Sequence, residues 1–171
     1  MINLRLLGNI IVIALLVLLQ VFIFNKMIFA QTAIPLVYII FILIYPPQRN
    51  RYLFLTLCFL LGLGIDIFES TGGIHAFSSI TIGFLSRYFI RLISGTRFFE
   101  IEEFSFSDFS AGQWFVYSVL MVVIHHFFLF LLESFSFSNF SEILLRAIYC
   151  SAYTLIFVFF YLILFRKREE R

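Results

Sequence analysis

Several stretches of this chain run for about twenty residues with almost no charged side chain, and no other feature constrains its fold as tightly. Wound as an α-helix, a run of that length matches the roughly 30 Å hydrocarbon core of a bilayer. In lipid every backbone N–H and C=O has to find its partner within the protein, which leaves helices or a closed barrel. The hydrophobicity here is continuous rather than alternating, and that selects helices. With 62% hydrophobic and 13% charged residues among 171, the spans consume nearly the whole sequence and leave no room for a separate soluble domain. The expectation is an all-α integral membrane protein, one polytopic bundle of about six transmembrane helices at roughly 6–24, 27–45, 52–68, 74–93, 113–132 and 143–165.

The first run exceeds the apolar core of a secretory signal and no small-residue cleavage site follows it, so it reads as a span. The second run is the weakest, because Gln31 and Thr32 interrupt it. Charge placement nonetheless favours an even number of crossings. With the N-terminus inside, Arg5, Arg49, Arg51, Arg87, Arg91, Arg97, Arg166, Lys167, Arg168 and Arg171 are cytoplasmic, while Lys26 and Arg146 lie outside. Such a bias is what the positive-inside rule requires, and it puts both termini in the cytoplasm. The basic residues follow membrane sidedness rather than forming a separate patch, so no nucleic-acid partner is expected. The tail from Arg166 to Arg168 reads as an anchor to anionic headgroups.

Pro46 and Pro47 end the second run in a sharp turn. Two near-repeats, Phe104 to Ser110 and Phe135 to Ser141, each precede a predicted span. Ser110 with Gln113 has capping-box spacing, Asn139 with Glu142 is a near relative, and the interleaved Phe residues suit the membrane interface. Asn139-Phe140-Ser141 also matches a glycosylation sequon, relevant only to a eukaryotic secretory route. Cys58 and Cys150 sit inside apolar runs as small buried hydrophobes.

The most informative stretch joins the third and fourth spans: Gly62-Leu-Gly64-Ile-Asp66, then Gly73-Ile-His75-Ala76-Phe77. A carboxylate at membrane depth is costly and meets the negative end of its own helix dipole, so Asp66 needs a partner. His75, just across the turn, is the nearest candidate, and the pair would staple the hairpin; the other possibility is that both face interfacial water. In the fourth span Ala76, Ser79, Gly83 and Ser86 line one face with small residues, a seam for close helix packing within the chain or against a partner. Arg87 and Arg91 snorkel to headgroups or pair with Glu100, Glu102 or Glu103.

His125 and His126, near the middle of the fifth long run, point about 100° apart and cannot share one metal ion from a regular helix. They read as hydrogen-bonded bundle residues or as the mark of a polar cavity or proton path. Asn9 and Gln20 share a face of the first span and are further bundle-facing candidates. These residues form no nucleophile–base constellation, phosphate loop or metal-ligand spacing, so the expectation is no catalytic residue, no metal and no cofactor.

Pro46-Pro47-x-Arg49 before the third span, followed by Gly62-Leu-Gly-Ile-Asp66 and Gly73-Ile-His75-Ala76-Phe77, resembles the bacterial rod shape-determining MreD family. The matching residues cluster between Pro46 and Arg87; outside them the likeness is one of length and hydropathy. The resemblance implies a non-enzymatic inner-membrane scaffold of the cell-elongation machinery, working with MreC, MreB, RodA and a transpeptidase to localise peptidoglycan synthesis. It carries Asp66, Gly73 and His75 as the family-like motif. The expected architecture is also similar to the substrate-binding subunits of energy-coupling-factor vitamin transporters. On that alternative Asn9, Gln20, Asp66 and His75 line a small-molecule pocket.

Overall fold

A computed structural model of the protein describes residues 4–29, 33–47, 49–95, 109–135 and 140–165. Its helices are α1 (Leu4–Phe22), α2 (Ile39–Ile44), α3 (Arg51–Glu69), α4 (Ile74–Ser94), α5 (Ala111–Ser134) and α6 (Phe140–Phe165). Five of them are long and apolar enough to cross a membrane, as a multi-pass membrane protein requires. Gln31, Thr32, Arg97, Glu100, Glu102, Glu103, Asn139 and the segments 104–108, 136–138 and 166–171 lie outside the described residues, and so do the roles the sequence suggested for them.

The helix starts follow from local chemistry. Asn50 caps α3, its Oδ1 accepting from Tyr52 N at 2.9 Å and Leu53 N at 3.2 Å. Ser110 and Gln113 form the reciprocal capping box that their spacing predicts at the start of α5. Gln113 Nε2 then donates to the Ile93 carbonyl at 3.0 Å, tying the end of α4 to the start of α5. The Phe residues of the two near-repeats behave less uniformly than expected. Phe135 is exposed, whereas Phe109 is buried against the rings of Trp114 and Tyr117.

Helices α1 and α3 run parallel, with Val17 beside Gly64 and Phe22 edge-on to Phe68. Arg5 and Arg51 therefore share one end of the bundle. Arg49, Arg87 and Arg91 join them: Arg87 Nη2 donates to the Arg49 carbonyl and lies close to Arg51 and Arg91. At the opposite end Arg146 pairs with Glu133 at 3.1 Å and covers the Phe130 ring at 4.5 Å. One of the two cations that departs from the basic end thus carries its own counter-charge.

The segment 27–45 departs from expectation, because it is not a continuous transmembrane helix. Phe29 and Ala33 exchange both backbone hydrogen bonds, at 2.8 and 2.9 Å, in a one-pair β-bridge, and only Ile39–Ile44 is α-helical. The chain still descends from one end of the bundle to the other. Tyr45 stacks on Phe54 at 4.5 Å near the start of α3, and Arg49 meets Arg87 at the basic end. The descent runs through the interior: Tyr38, Ile39 and Ile42 are completely buried. Pro35 explains the break, since it lacks an N–H and biases Ile34 away from helical geometry. Open backbone at membrane depth is tolerated only where protein covers it, and the long helices provide that cover.

Side chains of the surrounding helices replace the missing helical ladder. Gln20 of α1 uses all its capacity: Oε1 accepts from Val37 N at 2.8 Å and Tyr38 N at 3.4 Å, while Nε2 donates to the Pro35 carbonyl at 2.9 Å and to Asn25 Oδ1 at 2.7 Å. Thr154 of α6 accepts from Leu36 N at 2.9 Å. Its hydroxyl faces His126 Nε2 at 3.3 Å, and His126 Nδ1 lies 2.8 Å from the Val122 carbonyl. A carbonyl partner requires the proton on Nδ1, which leaves Nε2 as the acceptor for Thr154. His126 therefore orients the hydroxyl that holds Leu36.

Replacing Gln20 with Leu strands three backbone groups of the interior crossing, and lipid cannot satisfy them. Gln20→Leu is expected to lower stability by about 2–4 kcal/mol in reversible unfolding in bicelles. Asn9→Leu, on the same helix but half-buried, is expected to change it by less than about 1 kcal/mol.

Candidate functional site

The residues singled out around the α3–α4 turn come together, in a different arrangement from the expected side-chain pair. Asp66 is buried, and its carboxylate binds backbone: Oδ1 accepts from His75 N at 3.0 Å and Oδ2 from Ala76 N at 2.8 Å. Thr71 Oγ1 adds a third hydrogen bond, at 2.5 Å to Oδ1. The carboxylate thus caps α4 from the preceding helix, satisfying two otherwise orphaned N–H groups and placing negative charge at the positive end of a helix dipole. The turn needs this sequence, because Ser70 is left-handed at the end of α3 (φ 56°) and Gly73 has φ 100°.

Gly62 explains how α3 and α4 approach closely enough for that cap. A Cβ there would lie 2.5 Å from Ala76 Cα and overlap the His75 carbonyl. Along the same interface a Cβ on Gly83 would stand 2.7 Å from Cys58 Sγ. Ala76, Ser79, Gly83 and Ser86 are all buried, so the small-residue stripe is occupied by packing inside the chain. Gly64 faces the other neighbour, where a Cβ would meet Val17 Cγ2 at 2.9 Å.

The His75 imidazole does not serve Asp66. Its Nδ1 lies 2.9 Å from the Tyr38 hydroxyl, and the same hydroxyl lies 2.9 Å from His125 Nε2. Tyr38, fully buried on the interior crossing, therefore links α4 to α5. His125 Nδ1 is buried without a hydrogen-bond partner among the described residues. A bare lone pair is cheaper to bury than an orphaned N–H, so His125 carries its proton on Nε2 and donates to Tyr38. Tyr38 in turn donates to His75 Nδ1. His125 and His126 have separate partners, in keeping with their angular separation on the helix, and among the described residues no group of three or more His, Cys, Asp or Glu side chains is placed to hold a metal ion.

Tyr38 and Thr154 are the site residues that sequence reasoning passed over. Pro35, three residues before Tyr38, was an available signal that the second run is broken. Thr154 offers none, since a Thr in an apolar helix ordinarily bonds back to its own ladder.

Apolar grooves flank α3 on both sides. One, of about 320 Å³, runs between α1 and α3 past Ile10, Ala14, Leu18, Leu60, Gly64 and Phe68. The other, of about 500 Å³, lies along α3 and α4 beside Phe59, Ile67, Gly73 and Phe77. Compared with known proteins, the chain matches no family model, no curated protein and no solved structure.

Because Asp66 caps through backbone amides, Asp66→Ala is expected to cost about 2–3 kcal/mol in thermal or steric-trap unfolding. His75→Ala keeps both amides and is expected to cost about 1 kcal/mol. Gly62→Val forces α3 and α4 apart and should destabilise the bundle more than Gly8→Val, whose position has open space around it.

Proposed function

We propose that this protein is a non-catalytic scaffold of the bacterial inner membrane that helps maintain rod shape, organising peptidoglycan synthesis with an MreC-like single-span protein in an elongation complex with MreB, RodA and a transpeptidase. The reading rests on the resemblance to the MreD family carried by Pro46 to Phe77. One observation supports it above others: the residues carrying that resemblance are spent on holding the bundle together. Asp66 caps α4, Gly62 lets two helices touch, Gly73 makes the turn and His75 positions Tyr38. A motif used in this way suits a rigid platform. On the vitamin-transporter alternative Gln20, Asp66 and His75 would face a ligand, but their hydrogen bonds are to the protein itself.

On this reading the basic end is cytoplasmic, and a partner's single helix docks on the lipid-facing side of α1 and α3 rather than on the α4 stripe. α1 is buried only along Ile13, Val17 and Gln20, and Ala14 with Gly64 keeps the groove beside it shallow enough for close approach. Affinity there comes from packing, because lipid supplies no hydrophobic drive between helices.

Gentle purification from native membranes, with mass spectrometry of the co-purifying proteins, tests the proposal. The expected partners are a single-span protein with an extracytoplasmic domain and components of the elongation machinery. Ala14→Trp, which fills the groove, is expected to reduce their recovery while the bundle stays folded. Recovery of ATPase subunits with a coupling membrane subunit would replace this reading with vitamin uptake.

A further inference from the structure

The geometry points to a proton-binding site at His75, built so that the bundle can take up one proton without losing a hydrogen bond. It stands independently of the scaffold reading. Three observations carry it: the Tyr38 hydroxyl sits between two imidazoles, a buried serine hydroxyl that no other described residue engages adjoins it, and carboxylates neighbour the imidazole nearest the turn.

In the neutral arrangement His125 Nε2–H donates to Tyr38 Oη, and the Tyr38 O–H donates to His75 Nδ1. The His75 Nδ1 lone pair is thus the acceptor at the end of the chain. When a proton binds there, Nδ1 becomes a donor and the Tyr38 O–H must leave it. Ser79 Oγ is the replacement: it adjoins the Tyr38 hydroxyl, is fully buried and is engaged by no other residue among those described. In the charged arrangement Tyr38 Oη accepts from both imidazoles on its two lone pairs and donates to Ser79 Oγ. One proton has been gained, no covalent bond other than the new N–H has formed, and every hydrogen bond has a successor.

The surroundings supply the counter-charge. The titratable groups that face His75 are Asp66 and Glu69 from α3, Tyr38 from the interior crossing, and His125 and His126 from α5. Both carboxylates belong to the last turn of α3, on the side of the α3–α4 turn, and His75 is the second residue of α4 just across it. His125 is less suited to the charge. Its free Nδ1 has no partner, so protonation there would bury a second donor with nothing to receive it.

The chain's three histidines make the test direct. The protein is labelled with ¹⁵N-histidine, placed in lipid nanodiscs, and its imidazole nitrogen shifts are followed from about pH 8 to about pH 5, a window that brackets the ordinary histidine range. His75→Gln assigns the signals. The expected result is a reversible change at His75 from one protonated nitrogen to two while His125 and His126 remain neutral. In Ser79→Ala, which removes the waiting acceptor, His75 is expected to bind its proton about tenfold more weakly, a shift of about one pH unit. Ser79→Cys, which keeps the volume but accepts poorly, is the second variant should Ser79→Ala fail to fold, and the same direction is expected. A His75 that stays neutral to about pH 5 in the folded bundle overturns the proposal. So does uptake at His125 or His126 instead, or a titration unchanged by loss of the serine hydroxyl.

Discussion

Leu36, Val37 and Tyr38 carry backbone N–H groups through the interior of the bundle without a helical ladder, and the architecture turns on how those groups are satisfied. Gln20 and Thr154 accept all three. An amide left bare in a hydrocarbon environment costs on the order of a few kcal/mol, a large share of the roughly 5–15 kcal/mol by which a domain typically folds. The interior crossing therefore exists only while α1 and α6 stand on either side of it. This dependence explains why a polar glutamine belongs in the apolar run of α1, and why a histidine backs the threonine of α6.

The same economy governs the other polar groups at depth. Asp66 is an expensive residue for a membrane, and three hydrogen bonds, two of them from backbone N–H groups at the buried start of α4, compensate it. The cap in turn requires α3 and α4 to touch, which Gly62 and the stripe from Ala76 to Ser86 allow. His75 sits at the junction of the two systems. Its backbone N–H belongs to the Asp66 cap and its imidazole to Tyr38, so the turn and the interior crossing are braced against one another.

Much of this was legible in the sequence, for physical reasons that differ between elements. The five long helices were legible because lipid demands about twenty continuous apolar residues and little else in proteins produces them. The start of α5 was legible because Ser110 and Gln113 satisfy each other locally. The crossing at 27–45 was misread because hydropathy reports an apolar setting without saying whether lipid or protein provides it, and open backbone survives only in the second. Asp66 and His75 were correctly brought to one corner by a short turn. Which atoms meet was beyond sequence, since backbone amides at a helix start outcompete an imidazole for a carboxylate only once the positive φ values of Ser70 and Gly73 have set the geometry. The stripe on α4 was visible as a close-packing face, but the helix that fills it was not, because small residues specify proximity and not identity.

Residues 36–38, as protected, non-helical backbone inside the bundle, are the feature on which the other contacts depend. Site-resolved amide hydrogen exchange of the protein in lipid nanodiscs addresses this most directly. The Leu36, Val37 and Tyr38 amides are expected to exchange as slowly as those in the middle of α3 and α5, and in Gln20→Leu the Val37 and Tyr38 amides are expected to become fast while Leu36, held by Thr154, stays slow. Exchange at loop-like rates in the unaltered protein would contradict it, as would protection of all three amides untouched by the loss of Gln20.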